Sequence, residues 1–183
     1  MGWLIGWSSK KALVEHLTSN LSENNELIRY SVVGSNLWML IFHKPTQEKF
    51  IALCLLKYVR GGGPRNNGWG YKSMDETAGP CEFNCPITML RESTCTAESA
   101  VKWRKYAVAQ HEKKKALAEA WKSVRLGDVV ESGATRVVVV NPDYVTKSIF
   151  SGRNRCPGSF LGYRESDKDK TIFRFRKSRY TPV

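Results

Sequence analysis

Lys72, Asp75 and Glu76 crowd into the stretch Asn67-Gly-Trp-Gly-Tyr-Lys-Ser-Met-Asp-Glu-Thr-Ala-Gly-Pro-Cys-Glu-Phe-Asn-Cys-Pro86. A lysine beside two carboxylates is suited to acid–base chemistry. Adjacent carboxylates also commonly hold Mg²⁺, which points to nuclease-like or phosphotransfer chemistry. The competing reading is structural: Lys72 pairs with Asp75 to hold an Ω-type loop that Trp69 and Tyr71 plug. No second acidic cluster is available to complete a metal site, so no metal is assigned. Gly68, Gly70 and Gly79 permit tight or left-handed backbone, and Pro80 stiffens the exit. The stretch reads as loop, yet ordinary connections run only about 4–6 residues. Its aromatics argue for an ordered loop, because Trp and Tyr bury large areas. If it is not catalytic, Trp69, Tyr71, Lys72, Asp75 and Glu76 make it a structural hub or a protein-docking surface.

Two further groups of residues bear on chemistry. Cysteines 81, 85 and 95 have the spacing C-x3-C-x9-C. Structural zinc favours duplicated C-x2–4-C pairs or a pair matched by histidines. A fourth ligand here would have to be His111, His43 or His16, none at signature spacing, so these read as buried or incidental thiols. The other group is basic. Lys113, Lys114, Lys115, Lys122 and Arg125 lie along one stretch, and Arg153, Arg155, Arg174, Arg176, Lys177 and Arg179 follow near the C-terminus. Arginine alternating with Phe173 and Phe175 suits phosphate contact and base stacking. The bland alternative is a solvated helix face and strand rim. Phosphate-binding glycine loops, G-x-S-x-G and H-E-x-x-H are absent, as are helix-turn-helix, zinc-finger and RNP motifs. No cofactor is expected.

The charge balance favours the basic group. The chain of 183 residues carries 29 basic and 17 acidic side chains, a net +12. Residues 61–95 hold three basic and four acidic groups, whereas 96–127 hold eight and three and 128–183 hold eleven and six. Such a balance attracts polyanions. No apolar run approaches the roughly 18–20 residues of a membrane-spanning helix. The N-terminal Met1–Trp7 lacks the charged and hydrophobic regions of a secretory signal. A soluble, cytoplasmic protein with no membrane association is the expectation, and five cysteines then read as free thiols.

These residues must be positioned by an α+β fold. Ser8 or Ser9 caps a helix over Lys10–Leu21 with Ala12, Leu13, Leu17 and Leu21 as its apolar stripe, and His16 at the boundary. Leu27–Val33, Leu37–His43 and Lys49–Val59 follow as strands with short turns, which predicts an antiparallel meander. Cys54, inside the run Phe50–Leu56, reads as core. Gly61-Gly62-Gly63-Pro64 is a linker signal. A helical turn near 86–90 precedes a long central helix over about 96–123. Its two apolar stripes (Ala97, Ala100, Val101, Ala107, Val108, then Leu117, Ala120, Trp121, Val124) are separated by polar 111–115. Beyond Gly127 come short β segments at 128–131, 136–140, 144–145, 159–162 and 171–176. The expected organisation is an α+β core over 1–126, with a motif loop at 61–86, and a small β-rich, half-barrel-like module over 127–183 packed on it.

The segments Gly70-Tyr71-Lys72-Ser73-Met74-Asp75-Glu76, Gly79-Pro80 and Cys85-Pro86 resemble a family of small uncharacterised proteins carried by phages, plasmids and their bacteria. That family shows a GYKxMDExxGP…CP pattern. The resemblance covers the middle of the chain, and it implies a mobile-element setting in a bacterial host cell, where accessory proteins manipulate nucleic acid or inhibit host defences. It brings no established activity.

Three functions are thus expected, in order. The first is a non-enzymatic accessory protein binding DNA or RNA mainly through phosphates. The second is an inhibitor or adaptor that binds a protein complex of host defence or phage. The third is an enzyme using Lys72, Asp75 and Glu76.

Overall fold

The computed structural model describes residues 3–60, 67–147 and 154–183, with 145–147 and 154–157 described by backbone alone. The Gly61–Pro64 linker and Arg153 fall outside the described residues, and Arg155 is described only by its backbone. The chain forms two compact units, Met1–His111 and Glu112–Val183. The sequence places the boundary at 126/127; here it falls inside the long helix, because the second apolar stripe of that helix belongs to the C-terminal core.

In the first unit the Ser9 hydroxyl accepts from the Ala12 N–H at 3.1 Å and starts helix α1, Lys10–Ser19. Strands β2 (Asn25–Val33), β3 (Asn36–His43) and β4 (Glu48–Val59) form the expected antiparallel meander. Their side chains alternate between two faces. Leu37, Met39, Ile41, Cys54 and Leu56 pack with Leu13 and Leu17 of α1. Trp38, Leu40, Ile51 and Leu53 pack on the other face with Met89 and Leu90 of α2 (Ile87–Glu92) and Trp103 and Ala107 of α3 (Glu98–Ser123). Trp38 and Trp103 stack at 5.8 Å between ring centroids. The sheet is thus covered twice, which explains a central strand that is apolar on both sides.

Residues 68–75 are not loop: Gly68–Asp75 is strand β5, hydrogen-bonded between β4 and a short β1, Leu4–Trp7, in the order β1-β5-β4-β3-β2. The glycines that suggested a turn serve this pairing. A Cβ on Gly70 would stand 2.5 Å from the Leu4 carbonyl oxygen, and one on Gly68 3.1 Å from that of Trp7. Of these three glycines only Gly79 uses left-handed backbone, at φ 62°, where it ends a 3-10 turn, Glu76–Ala78.

The second unit contains the rest of α3 and a five-stranded antiparallel sheet in the order β10-β6-β7-β8-β9. These strands are β6 (Val129–Ser132), β7 (Thr135–Lys147), β8 (Asn154–Arg164), β9 (Phe173–Arg176) and β10 (Thr181–Pro182). The break expected at Asn141-Pro142-Asp143 is absorbed inside β7 by register shifts on either side of Asn141. Such irregularities accommodate a proline, which has no N–H for the ladder. The small β-rich module is an open sheet with β10 and β9 at its edges. Trp121, Val124, Val130, Val137, Val139 and Phe160 form its core, with Leu117, Phe175 and Tyr180 packed around them. No described helix is long and apolar enough to cross a membrane.

Gly70→Ala should destabilise the first unit by about 1–3 kcal/mol, since the added methyl group meets backbone that cannot yield. Gly6→Ala, whose methyl would meet nothing within 4 Å, should be near neutral. Urea midpoints of the two variants check this; equal midpoints would refute the assigned β1–β5 pairing.

Candidate nucleic-acid interface

The three residues proposed for catalysis are dispersed. Lys72 and Asp75 alternate to opposite faces of β5, although both reach the rim of a cavity of about 730 Å³ lined also by Leu53, Leu55 and Met74. The Lys72 ammonium lies 5.3 Å from the centre of the Trp3 ring, a cation–π arrangement. Asp75 does not pair with Lys72 as the structural reading expected. Its carboxylate accepts from the Thr77 N–H at 2.8 Å and from the Thr77 hydroxyl, capping the 3-10 turn. Glu76 is fully buried and absent from that cavity.

Glu76 has its own polar cage. One carboxylate oxygen accepts from the Ile51 N–H at 3.0 Å and the Ser93 hydroxyl at 2.6 Å. The other accepts from Arg104 Nη1 at 2.6 Å. Arg104 also donates to Ser93 Oγ at 2.9 Å and to the Cys95 carbonyl at 2.6 Å. A carboxylate so enclosed is a structural anchor, unavailable to substrate. The aromatic pair is likewise occupied: Trp69 meets Tyr58 edge-on at 6.0 Å and Tyr71 meets Trp7 at 5.7 Å.

Among the described residues, no three His, Cys, Asp or Glu side chains are grouped to hold a metal ion. Cys85 and Cys95 are buried and Cys81 is exposed. A ring nitrogen of His111 lies 2.7 Å from the Cys85 carbonyl oxygen, and His16 packs beside Trp7. Burial pushes the Cys54 thiol up to about 12. Burial, reinforced by the charge of Glu76, does the same for Cys85, to about 12. Thiolate is the reactive form, so both are inert.

Four of the eleven basic residues, Lys114, Lys122, Arg125 and Lys177, do converge, within the second unit. Lys114, Lys122 and Arg125 follow one face of α3 and its exit, at helical spacing with Ala118 between them. They line a groove of about 640 Å³ together with Leu117, Ala118, Trp121, Val124, Asp143, Gly158, Lys177 and Ser178. Trp121 holds the wall together. Its indole N–H is shared between the Lys177 and Tyr180 carbonyls, each at 3.1 Å. The Lys177 ammonium lies 5.2 Å from the Trp121 ring centre and 2.9 Å from Asp143 Oδ1. Lys122 is bonded by both oxygens of Glu119, at 2.8 and 2.7 Å. That hydrogen bond and the lysine charge hold the Glu119 carboxyl below its usual range. The Arg125 guanidinium donates to the Lys122 and Val124 carbonyls, at 2.9 and 3.1 Å, as suits a cation at a helix C-terminus.

Lys113 and Lys115 are exposed on the same helix, and Arg176 and Arg179 are exposed outside the groove lining. Arg174 lies on β9, also outside it. Sequence reasoning missed the groove's apolar lining and Asp143. The signal available was Leu117-x3-Trp121 with lysine a turn before it (Lys113, Lys114) and Arg125 a turn after it. The second unit carries 16 basic and 8 acidic side chains, against 13 and 9 in the first. Comparison with protein-family models, curated proteins and solved structures finds no match to the chain.

Arg104→Met should cost about 3–5 kcal/mol, because it strands the buried Glu76 charge, whereas Asp75→Asn should keep its cap and fold normally. Denaturant titration separates the two; equal stability would remove Glu76 from its anchoring role. The thiols give a pH signature. An unfolded chain releases their protons near the ordinary 9.0, while the folded chain retains them to about 12. Their contribution to stability is therefore complete below pH 9 and lost as pH rises toward 12. Iodoacetamide at pH 8 should modify Cys81 and spare Cys54 and Cys85 until denaturant is added, read by peptide mass mapping.

Proposed function

We propose that this chain is a non-enzymatic nucleic-acid-binding protein that grips phosphates with the basic groove of its second unit. The observation that carries this reading is the convergence of Lys114, Lys122, Arg125 and Lys177 on one groove, in the unit holding most of the excess positive charge. Two of the four are tethered, Lys122 by Glu119 and Lys177 by Asp143. Tethering fixes where the ammonium groups stand while spending part of their charge. Lys114 and Arg125 supply the remainder. The dispersal of Lys72, Asp75 and Glu76 argues against the enzyme reading. The packing of half-buried Trp69 and Tyr71 against Tyr58 and Trp7 argues against docking through the motif. The motif resemblance adds a phage or mobile-element setting, in which such a protein would act as an accessory factor.

Binding should weaken steeply with salt, as displaced counterions are released on association. Replacing Lys114 and Arg125 together by alanine should lower the slope of log K against log salt by about 2. Anisotropy titrations with labelled DNA and RNA across a salt series measure this. Absence of binding at low salt, or an unchanged slope in the variant, would refute the proposal.

A further inference from the structure

We infer that the groove of the second unit receives an unstacked base, so that the protein prefers single-stranded nucleic acid to duplex. The inference rests on the phosphate-binding reading and adds what the groove's apolar lining is for. Phosphate contact alone requires cations on a surface. Here the cations line a recess together with apolar Leu117, Trp121 and Val124, and exposed Ala118 stands at its edge. A recess of about 640 Å³ falls within the roughly 300–1,000 Å³ of small-molecule sites, room enough for one nucleotide. A duplex keeps its bases stacked and offers such a recess nothing flat and apolar. A single strand can turn a base inward while its phosphates stay at the rim, the arrangement by which proteins hold single strands.

The walls fit that occupant. Gly158 lies on the wall at φ 71°, where no side chain intrudes. Ala118 is the smallest side chain on the helical face between Lys114 and Lys122. Asp143, the acidic member of the described lining, already bonds Lys177, which offsets its repulsion of phosphate. The same base-plus-phosphate chemistry belongs to a free nucleotide, so the test distinguishes the two sources.

Anisotropy should be measured for a short labelled single strand, its duplex, an abasic strand of equal length, and adenosine monophosphate as competitor. The single strand should bind about tenfold or more tighter than the abasic strand, and tighter than the duplex despite the duplex's higher charge density. Ala118→Leu, filling the recess from an exposed helical position, should abolish both preferences. Ser178→Leu should do the same from the opposite wall, with thermal unfolding confirming that each variant folds.

Equal affinity for abasic and normal strands, or preferences surviving both substitutions, would overturn the inference while leaving phosphate binding intact. Adenosine monophosphate binding as tightly as the strand would overturn it in favour of a free-nucleotide site. Failure to bind any of these at low salt would instead remove the phosphate-binding reading beneath it.

Discussion

A carboxylate with no access to water is costly unless every lone pair finds a donor. Glu76 is such a carboxylate, and the first unit is arranged to satisfy it. One oxygen reaches the backbone of β4 at Ile51 and the hydroxyl of Ser93. The other meets the Arg104 guanidinium, whose second nitrogen continues to the Cys95 carbonyl. A single charge therefore fixes the end of β5, the middle of β4, the connection after α2 and the first half of α3. Apolar packing around Trp38, Trp103 and Met89 supplies bulk stabilisation without direction. The ion pair supplies register, because only one placement of α3 brings Arg104 to Glu76.

What could be read from sequence follows from which forces act locally. The meander was legible because alternation and turn residues are local signals, and α3 because its apolar stripes recur at helical spacing. The partnership of Glu76 was not, since Arg104 lies 28 positions away and no local pattern joins them. Strand β5 was misread for a subtler reason. Gly68 and Gly70 alternate with Trp69 and Tyr71, a strand period, but two glycines dominate a reading by propensity. Their use depends on β1, a short edge strand with only a few apolar residues to announce it. Asn141-Pro142 misled likewise, because a bulge and a turn share the same residues.

The candidate site shows the same division. Lys114, Lys122 and Arg125 were visible as a helical stripe, and Trp121 as part of a core stripe. That the stripe and the core residue belong to one groove depends on Lys177, held 56 positions beyond Trp121 by its carbonyl. The second unit thus builds its wall from a helix and a distant 3-10 turn at Lys177–Arg179. Trp121 serves two purposes there. Its ring fills the core beside Phe160, at 4.9 Å, and its indole N–H anchors the segment that carries the lysine. Core and groove wall are the same residue seen from two sides.

That anchoring bears on the order in which the protein is made. The first unit has its described strands, α1, α2, the first half of α3 and the Glu76–Arg104 pair in hand once residue 111 has been synthesised. The second waits for nearly its whole length, because the acceptors of Trp121 are at 177 and 180 and strand β10, which pairs with β6, is at 181–182. On the ribosome the basic groove thus forms after the first unit. A nascent chain emerging beside ribosomal RNA carries its lysines as scattered charges, and they become a shaped surface only once residues 177–182 have emerged.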